Sequence, residues 1–271
     1  MSESSDSGLG KADTIVLIHG LWMTALSWEH WVERYTSRGY NVLAPNWPRM
    51  DASVEALRRD PSPIARESVP EILDHYERII REQARPPILM GHSFGGAFVQ
   101  ALLDRGLGAA GVGIDAAPVR GVLDLPLSTL HSAWSLLRNP IQRYKAVPLA
   151  LKQFNYAFTN NLTAEQSEPI YSRYCVPGSR NVLLTGANVN ANPFTPLKVD
   201  YHKDDRAPLL FIAGGNDHVV PASVNRSNVK KYKSGVVELK EFPGRTHYTL
   251  GQEGWEEVAD YALDWAVAHS K

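Results

Sequence analysis

Cysteine is almost missing from this chain: Cys175 is the single copy. One cysteine cannot close an intrachain disulfide, and no Cys/His spacing points to a metal site, so none is expected. That usage fits a reducing compartment and predicts a cytoplasmic protein. An excess of either charge is missing as well, since 28 Lys and Arg against 29 Asp and Glu leave a formal net charge of −1. With no basic block or stripe, neither nucleic acid nor an anionic membrane surface is an expected partner. No apolar run approaches the ~20 residues needed to cross a bilayer, so no membrane insertion is expected. The opening MSESSDSGLGKAD has no basic start and no apolar centre. It reads as a disordered polar leader over residues 1–13, not as a secretory signal.

What remains is ordinary globular material. The 271 residues are 44% hydrophobic and 21% charged, enough for one large α/β domain or two small ones. Short apolar runs alternate with amphipathic segments, the rhythm of a parallel sheet with crossover helices. Strands are predicted at TIVLI (14–18), NVLAP (41–45), PILM (87–90), AGVGID (110–115), PLLFIAG (208–214) and VVELKEF (236–242). All but the last read as runs buried on both faces. Helices are predicted over 25–38, 66–84, 94–105, 222–232 and 254–268. In the second of these, Val69, Ile72, Leu73, Tyr76, Ile79 and Ile80 recur at helical spacing.

Between Pro118 and Asp205 the rhythm breaks. This stretch is loop-rich and aromatic, with Trp134, Tyr144, Phe154, Tyr156, Phe158, Tyr171, Tyr174 and Phe194, and it has helical patches such as LSTLHSAWSLL but no buried strand. It reads as a lid inserted over the sheet, 118–205, which divides the core into 14–117 and 206–271. No internal repeat or low-complexity linker is present.

The stretch ILMGHSFGGAFVQALL carries the chemistry. A strand runs into Gly91-His92-Ser93-Phe94-Gly95 and a helix follows at once, the strand-turn-helix setting in which a G-x-S-x-G serine is exposed at the carboxyl edge of a sheet. Small residues at 91 and 95 let strand and helix pack around the sharp turn. The helix start adds free N–H groups and partial positive charge where an oxyanion would form. The plain alternative is a Gly/Ser turn that only starts a helix; the buried strand before it and Gly95-Gly96 after it favour the nucleophile.

Serine alone is a poor nucleophile, so a base and an orienting acid are needed. Downstream, GNDHVVP places Asp217 just after a strand, and PGRTHYTLG does the same for His247. Both loops fall at the carboxyl edge that holds Ser93. In this reading His247 takes the Ser93 proton and Asp217 fixes the imidazole tautomer. Asp115, which ends the preceding strand in IDAAP, is the rival acid. His92 and His218 read as packing or loop residues. For the oxyanion hole, the Phe94 amide supplies one donor, and the loop His19-Gly20-Leu21-Trp22 supplies the other through Leu21.

With HGLW, GHSFGG, GGNDHVVP and GRTHY in this order, the chain resembles the α/β-hydrolase superfamily, over roughly residues 14–269 apart from the lid. The stretches IDAAPVRGVLDLPLS and DDRAPLLFIAGGNDHVVP look like those of bacterial, especially actinobacterial, α/β hydrolases. The resemblance implies a mainly parallel sheet flanked by helices. Family members often carry a strand pair ahead of the His-Gly strand, but only ~13 polar residues precede TIVLI, too few for two strands of ~5 residues and their turns. Six parallel strands are therefore expected.

Ser93 at the elbow argues against the family's aspartate-nucleophile dehalogenases and epoxide hydrolases. Among serine members the commonest chemistry is carboxylic ester or lactone hydrolysis through an acyl-serine. Acyltransferases, perhydrolases, amidases, thioesterases and hydroxynitrile lyases are alternatives, as is a ligand sensor on a hydrolase scaffold. No phosphate loop or metal-ligand cluster stands out, so no cofactor is expected, and the expected partner is a small-molecule substrate. Trp22, Met23 and Phe94 with the lid aromatics Trp134, Phe154 and Phe158 would make a largely apolar pocket.

Overall fold

The computed structural model describes residues 12–124 and 144–271. The leader up to residue 11, the patch LSTLHSAWSLL and Trp134 lie outside the described residues. Six strands form one sheet: β1 (Thr14–Ile18), β2 (Asn41–Leu43), β3 (Ile88–His92), β4 (Ala110–Ile114), β7 (Leu209–Gly214) and β8 (Val237–Phe242). The intervening β5 (Ala146–Val147) and β6 (Gly178–Ser179) make a separate antiparallel ribbon. The spatial order of the large sheet is β2-β1-β3-β4-β7-β8, with every neighbouring pair parallel. The chain winds outward through β2, then crosses back past β1 to β3. The reversal of winding between β1 and β3 is where parallel sheets open a crevice at their carboxyl ends, and Ser93 follows β3 there.

The helices among the described residues are α1 (Glu29–Ser37), entered through a 3₁₀ turn at Ala25–Trp28, then α2 (Val54–Arg59), α3 (Ser62–Ala65), α4 (Val69–Arg81) and α5 (Phe94–Asp104). They continue with α6 (Leu151–Phe158), α7 (Ala164–Tyr174), α8 (Arg180–Ala187), α9 (Ala222–Val229) and α10 (Trp255–His269). The 3₁₀ turn starts where the Thr24 hydroxyl accepts the Leu26 amide, and α2 where Ser53 Oγ accepts the Ala56 amide at 3.2 Å, both side-chain caps. Of the predicted α4 stripe, Val69, Ile72, Leu73, Tyr76 and Ile80 are buried and Ile79 is half-buried.

Alternating strand residues feed opposite layers. Val16, Ile18 and Leu89 pack with Phe98 and the α4 stripe on one face. Ile15, Leu17 and Met90 pack with Trp31, Tyr35, Val258 and Leu263 on the other. Each fully buried aliphatic side chain contributes about 1.5–3 kcal/mol of transfer free energy.

One expectation fails at the sheet edge. The run at 41–45 is not buried on both faces: Asn41 is exposed, and Val42 and Leu43 are half-buried. β2 has a neighbour on one side only, and it ends two residues before Pro45, which cannot donate to a ladder. The helices α2 and α3, each six residues or fewer, have too little periodicity to be read from sequence.

Candidate active site

The elbow is built by close approach of backbones. Ser93 has φ 56° and ψ −119°, a conformation that costs energy for any residue with a side chain. It is held by its amide on the Ile114 carbonyl (2.9 Å) and by its own carbonyl, which accepts the Ala117 amide (2.9 Å). A Cβ at Gly91 would lie 2.1 Å from the Gly95 carbonyl oxygen, and one at Gly95 would lie 2.1 Å from the carbonyl oxygen of Ile18. No side chain fits at either position.

The loop after β1 packs directly onto this turn, where a Cβ at Gly20 would lie 2.8 Å from the Ser93 Cβ. His19 fixes that loop. Its Nδ1–H donates to the Gly20 carbonyl (2.9 Å), its Nε2 accepts the Trp47 amide (3.1 Å), and its ring stacks on Trp47 at 4.8 Å. Accepting the Trp47 amide requires the neutral ring, and burial pushes the His19 pKa down to about 4, against a smaller upward pull from the Gly20 carbonyl. The amides of Leu21 and Phe94 donate to no acceptor among the described residues. Both remain available to a developing oxyanion.

The loops after β7 and β8 bring Asp217 and His247 together. His247 Nδ1 lies 2.6 Å from Asp217 Oδ2, and both side chains are fully buried. Asp217 Oδ1 accepts the amides of Val219 (2.6 Å) and Val220 (2.9 Å), so the carboxylate is fixed by three donors. Burial works against a charged His247, but the Asp217 charge, the hydrogen bond to it and the nearby Asp115 outweigh burial and hold the imidazole pKa above its ordinary value. His247 Nε2 is buried with no hydrogen-bond partner. No hydrogen bond joins it to Ser93 Oγ.

His92 links the elbow to this pair. Its Nε2–H donates to the His247 carbonyl at 2.9 Å, and the two rings lie 4.7 Å apart. His218 instead ties the Asp217 loop to α6, with its Nδ1 on the Tyr156 carbonyl at 3.0 Å. Asp115, the rival acid, has φ 47° and accepts the Gly214 amide at 2.7 Å. Burial first and the Asp217 charge second push its pKa up to about 8. This upward shift makes Asp115 a poorer partner than Asp217 for an imidazolium. His92, Asp115 and His247 each bring one potential metal-ligand atom within 4.8 Å of the others. A cation there would engage the same imidazole that faces Asp217.

Aromatic side chains from the described part of 118–205 pack against these groups. The Phe158 ring meets the His247 imidazole edge-on at 4.9 Å and stacks on Phe154 at 4.9 Å. Phe154 thus supports Phe158 from behind. Trp22, at φ 65°, packs edge-on against Phe158 at 6.4 Å and donates its indole N–H to the Val147 carbonyl at 3.1 Å. The Phe158 carbonyl accepts the Tyr248 amide at 3.0 Å, one residue beyond the histidine. From sequence, His19 could be read only as part of its loop, without the bonds that fix it, and Arg180, a buried arginine in α8, carried no signal.

Residues 15–261 match a model of the alpha/beta hydrolase family. The chain belongs to that family. This alpha/beta hydrolase is 33% identical over 63 residues to a monoacylglycerol lipase of Mycolicibacterium smegmatis, a match spanning 23% of the chain and 22% of that relative. Among solved structures it resembles a monoacylglycerol lipase of Paleococcus ferrophilus, at 20% identity and TM-score 0.68, over 96% of this chain and 97% of the other. It also resembles a pyrethroid hydrolase of Sphingobium faniae, at 19% identity and TM-score 0.69, over 95% and 98%. At such identities the structural likeness speaks to fold alone. No helix among the described residues is long and apolar enough to cross a membrane.

Proposed function

We propose that this alpha/beta hydrolase is a serine esterase that cleaves a small or medium carboxylic ester or lactone with a largely apolar body. The observation that carries the reading is the buried His247–Asp217 pair beside a strained serine elbow. His247 Nε2 accepts the Ser93 Oγ proton as Oγ attacks the carbonyl carbon. The amides of Phe94 and Leu21 hold the resulting oxyanion, and His247 returns the proton to the departing alcohol. Water, deprotonated by the same imidazole, then releases the acid from the acyl-serine. Asp217 keeps Nδ1 protonated throughout.

In this account residues 118–205 act as a lid that excludes water and, with Trp22, Phe154 and Phe158, shapes the apolar wall. The lipase relatives support ester chemistry by their names. A cytoplasmic setting belongs to the same reading, supported by the single, buried and free Cys175. Hydrolysis of p-nitrophenyl acetate and butyrate by wild type and by Ser93→Ala tests the proposal. A serine-dependent burst followed by turnover is expected. Stoichiometric binding without turnover would replace the esterase with a ligand sensor.

A further inference from the structure

The segment from β6 into α8 lies against both proposed oxyanion loops. A Cβ at Gly178 would meet the Trp22 indole nitrogen at 2.7 Å and Leu21 Cγ at 3.0 Å, and one at Gly186 would meet Phe94 Cζ at 2.6 Å. Arg180 opens this helix. Its neighbours on either side, Ser179 and Asn181, both donate to the Glu67 carbonyl, at 3.1 and 3.0 Å, so the turn is fixed.

Arg180 itself is 8% exposed, and its Nε and Nη2 atoms are buried with no hydrogen-bond partner. No carboxylate pairs with it among the described residues. Its position compounds the cost, because a cation in the first turn faces the positive end of the helix dipole. A buried guanidinium is ordinarily paired, and leaving its donors unmet is among the most expensive arrangements a protein can hold.

The two unmet donors form the side-on edge of the guanidinium, whose parallel N–H groups match the two oxygens of a carboxylate. The same edge binds carboxylates twice elsewhere in this chain. Arg34 uses Nε and Nη2 on the two oxygens of Asp260, at 2.6 and 2.7 Å, and Arg173 uses Nε and Nη2 on those of Glu29. We infer that Arg180, with the start of α8, receives a carboxylate carried by the substrate, so that the ester cleaved at Ser93 bears a free acid at its far end, as a monoester of a dicarboxylic acid does. This specificity rests on the esterase reading; the anion site does not.

The test pairs two esters and one non-hydrolysable ligand. Wild type is expected to favour p-nitrophenyl hemiglutarate over the uncharged p-nitrophenyl hexanoate in kcat/KM. Arg180→Met is expected to lower that ratio about 10–100-fold, the worth of a charged hydrogen-bonded contact, with partial recovery in Arg180→Lys. Calorimetry on the whole wild-type protein is expected to show glutarate binding, weakened at least tenfold by Arg180→Met. Equal use of both esters by wild type together with no glutarate binding would overturn the inference without any variant. Inorganic phosphate binding as tightly as glutarate would make this a general anion site and overturn the carboxylate assignment. Glutarate binding that depends on Arg180, with neither ester hydrolysed, would sustain the anion site and remove the esterase reading instead.

Discussion

Asp217 and His247 meet through a 2.6 Å bond between Oδ2 and Nδ1 with neither side chain exposed to solvent. The other oxygen of Asp217 is occupied by two backbone amides, so the carboxylate cannot rotate without losing three bonds. This rigidity sets the imidazole tautomer and leaves Nε2 as the proton acceptor.

Replacing that acid should therefore be costly. Asp217→Asn is expected to lower kcat by up to ~10⁴-fold, because an amide permits the wrong tautomer. Asp115→Asn is expected to cost far less, since burial and the Asp217 charge raise the Asp115 pKa and its Oδ1 is held by the Gly214 amide. Steady-state kinetics of both variants decide the matter. The reverse ranking would move the acid to Asp115.

The pH dependence follows from His247. A general base must be neutral, so kcat/KM is low in acid and rises as the imidazole loses its proton. Because the charge of Asp217 and its hydrogen bond hold the His247 pKa above the ordinary 6.5 despite burial, the rising limb is expected to have its midpoint above pH 6.5. A kcat/KM profile from pH 5 to 9 on a neutral ester measures it. A midpoint below 6.5 would mean that burial dominates.

Packing at the elbow gives a stability test. Gly95→Ala would place a methyl group 2.1 Å from the Ile18 carbonyl oxygen, a backbone atom that cannot move aside without shifting β1. Overpacking of this kind costs about 1–3 kcal/mol or more. Thermal unfolding should show a clear loss of Tm, with esterase activity lost alongside. A Tm unchanged within a degree would show that strand and helix are not so tightly apposed.

Phe158 lies between His247 and Phe154, so it touches both the proposed base and the proposed lid. Phe158→Leu is expected to change the butyrate-to-acetate ratio of kcat/KM several-fold, while a fluorophosphonate still labels the protein. An unfolded variant would show the ring to be core alone. An unaltered ratio in a folded variant would remove Phe158 from the substrate wall.

The sheet was legible because its central strands are continuous apolar runs ended by turn residues, and because each is buried as such runs require. The edge position of β2 has a physical reason for escaping a sequence reading: a short apolar run such as 41–45 says nothing about how many neighbours the strand has. The loops of Asp217 and His247 could be placed at one edge from strand directions alone. Preferring Asp217 to Asp115 as the proposed acid draws on side-chain partners, which strand directions do not give, since both residues follow strands at that edge. Arg180 was invisible in sequence because a single arginine in a loop-rich stretch reads as solvated. Its burial is a property of the fold around it.

The most direct test of the account is labelling by a fluorophosphonate followed by mass mapping of the adduct, in wild type and in a folded Ser93→Ala variant. The prediction is one adduct, on Ser93 Oγ, with both labelling and ester turnover abolished in the variant. An adduct elsewhere, or turnover that survives without the Ser93 hydroxyl, would contradict the assignment of Ser93 as nucleophile.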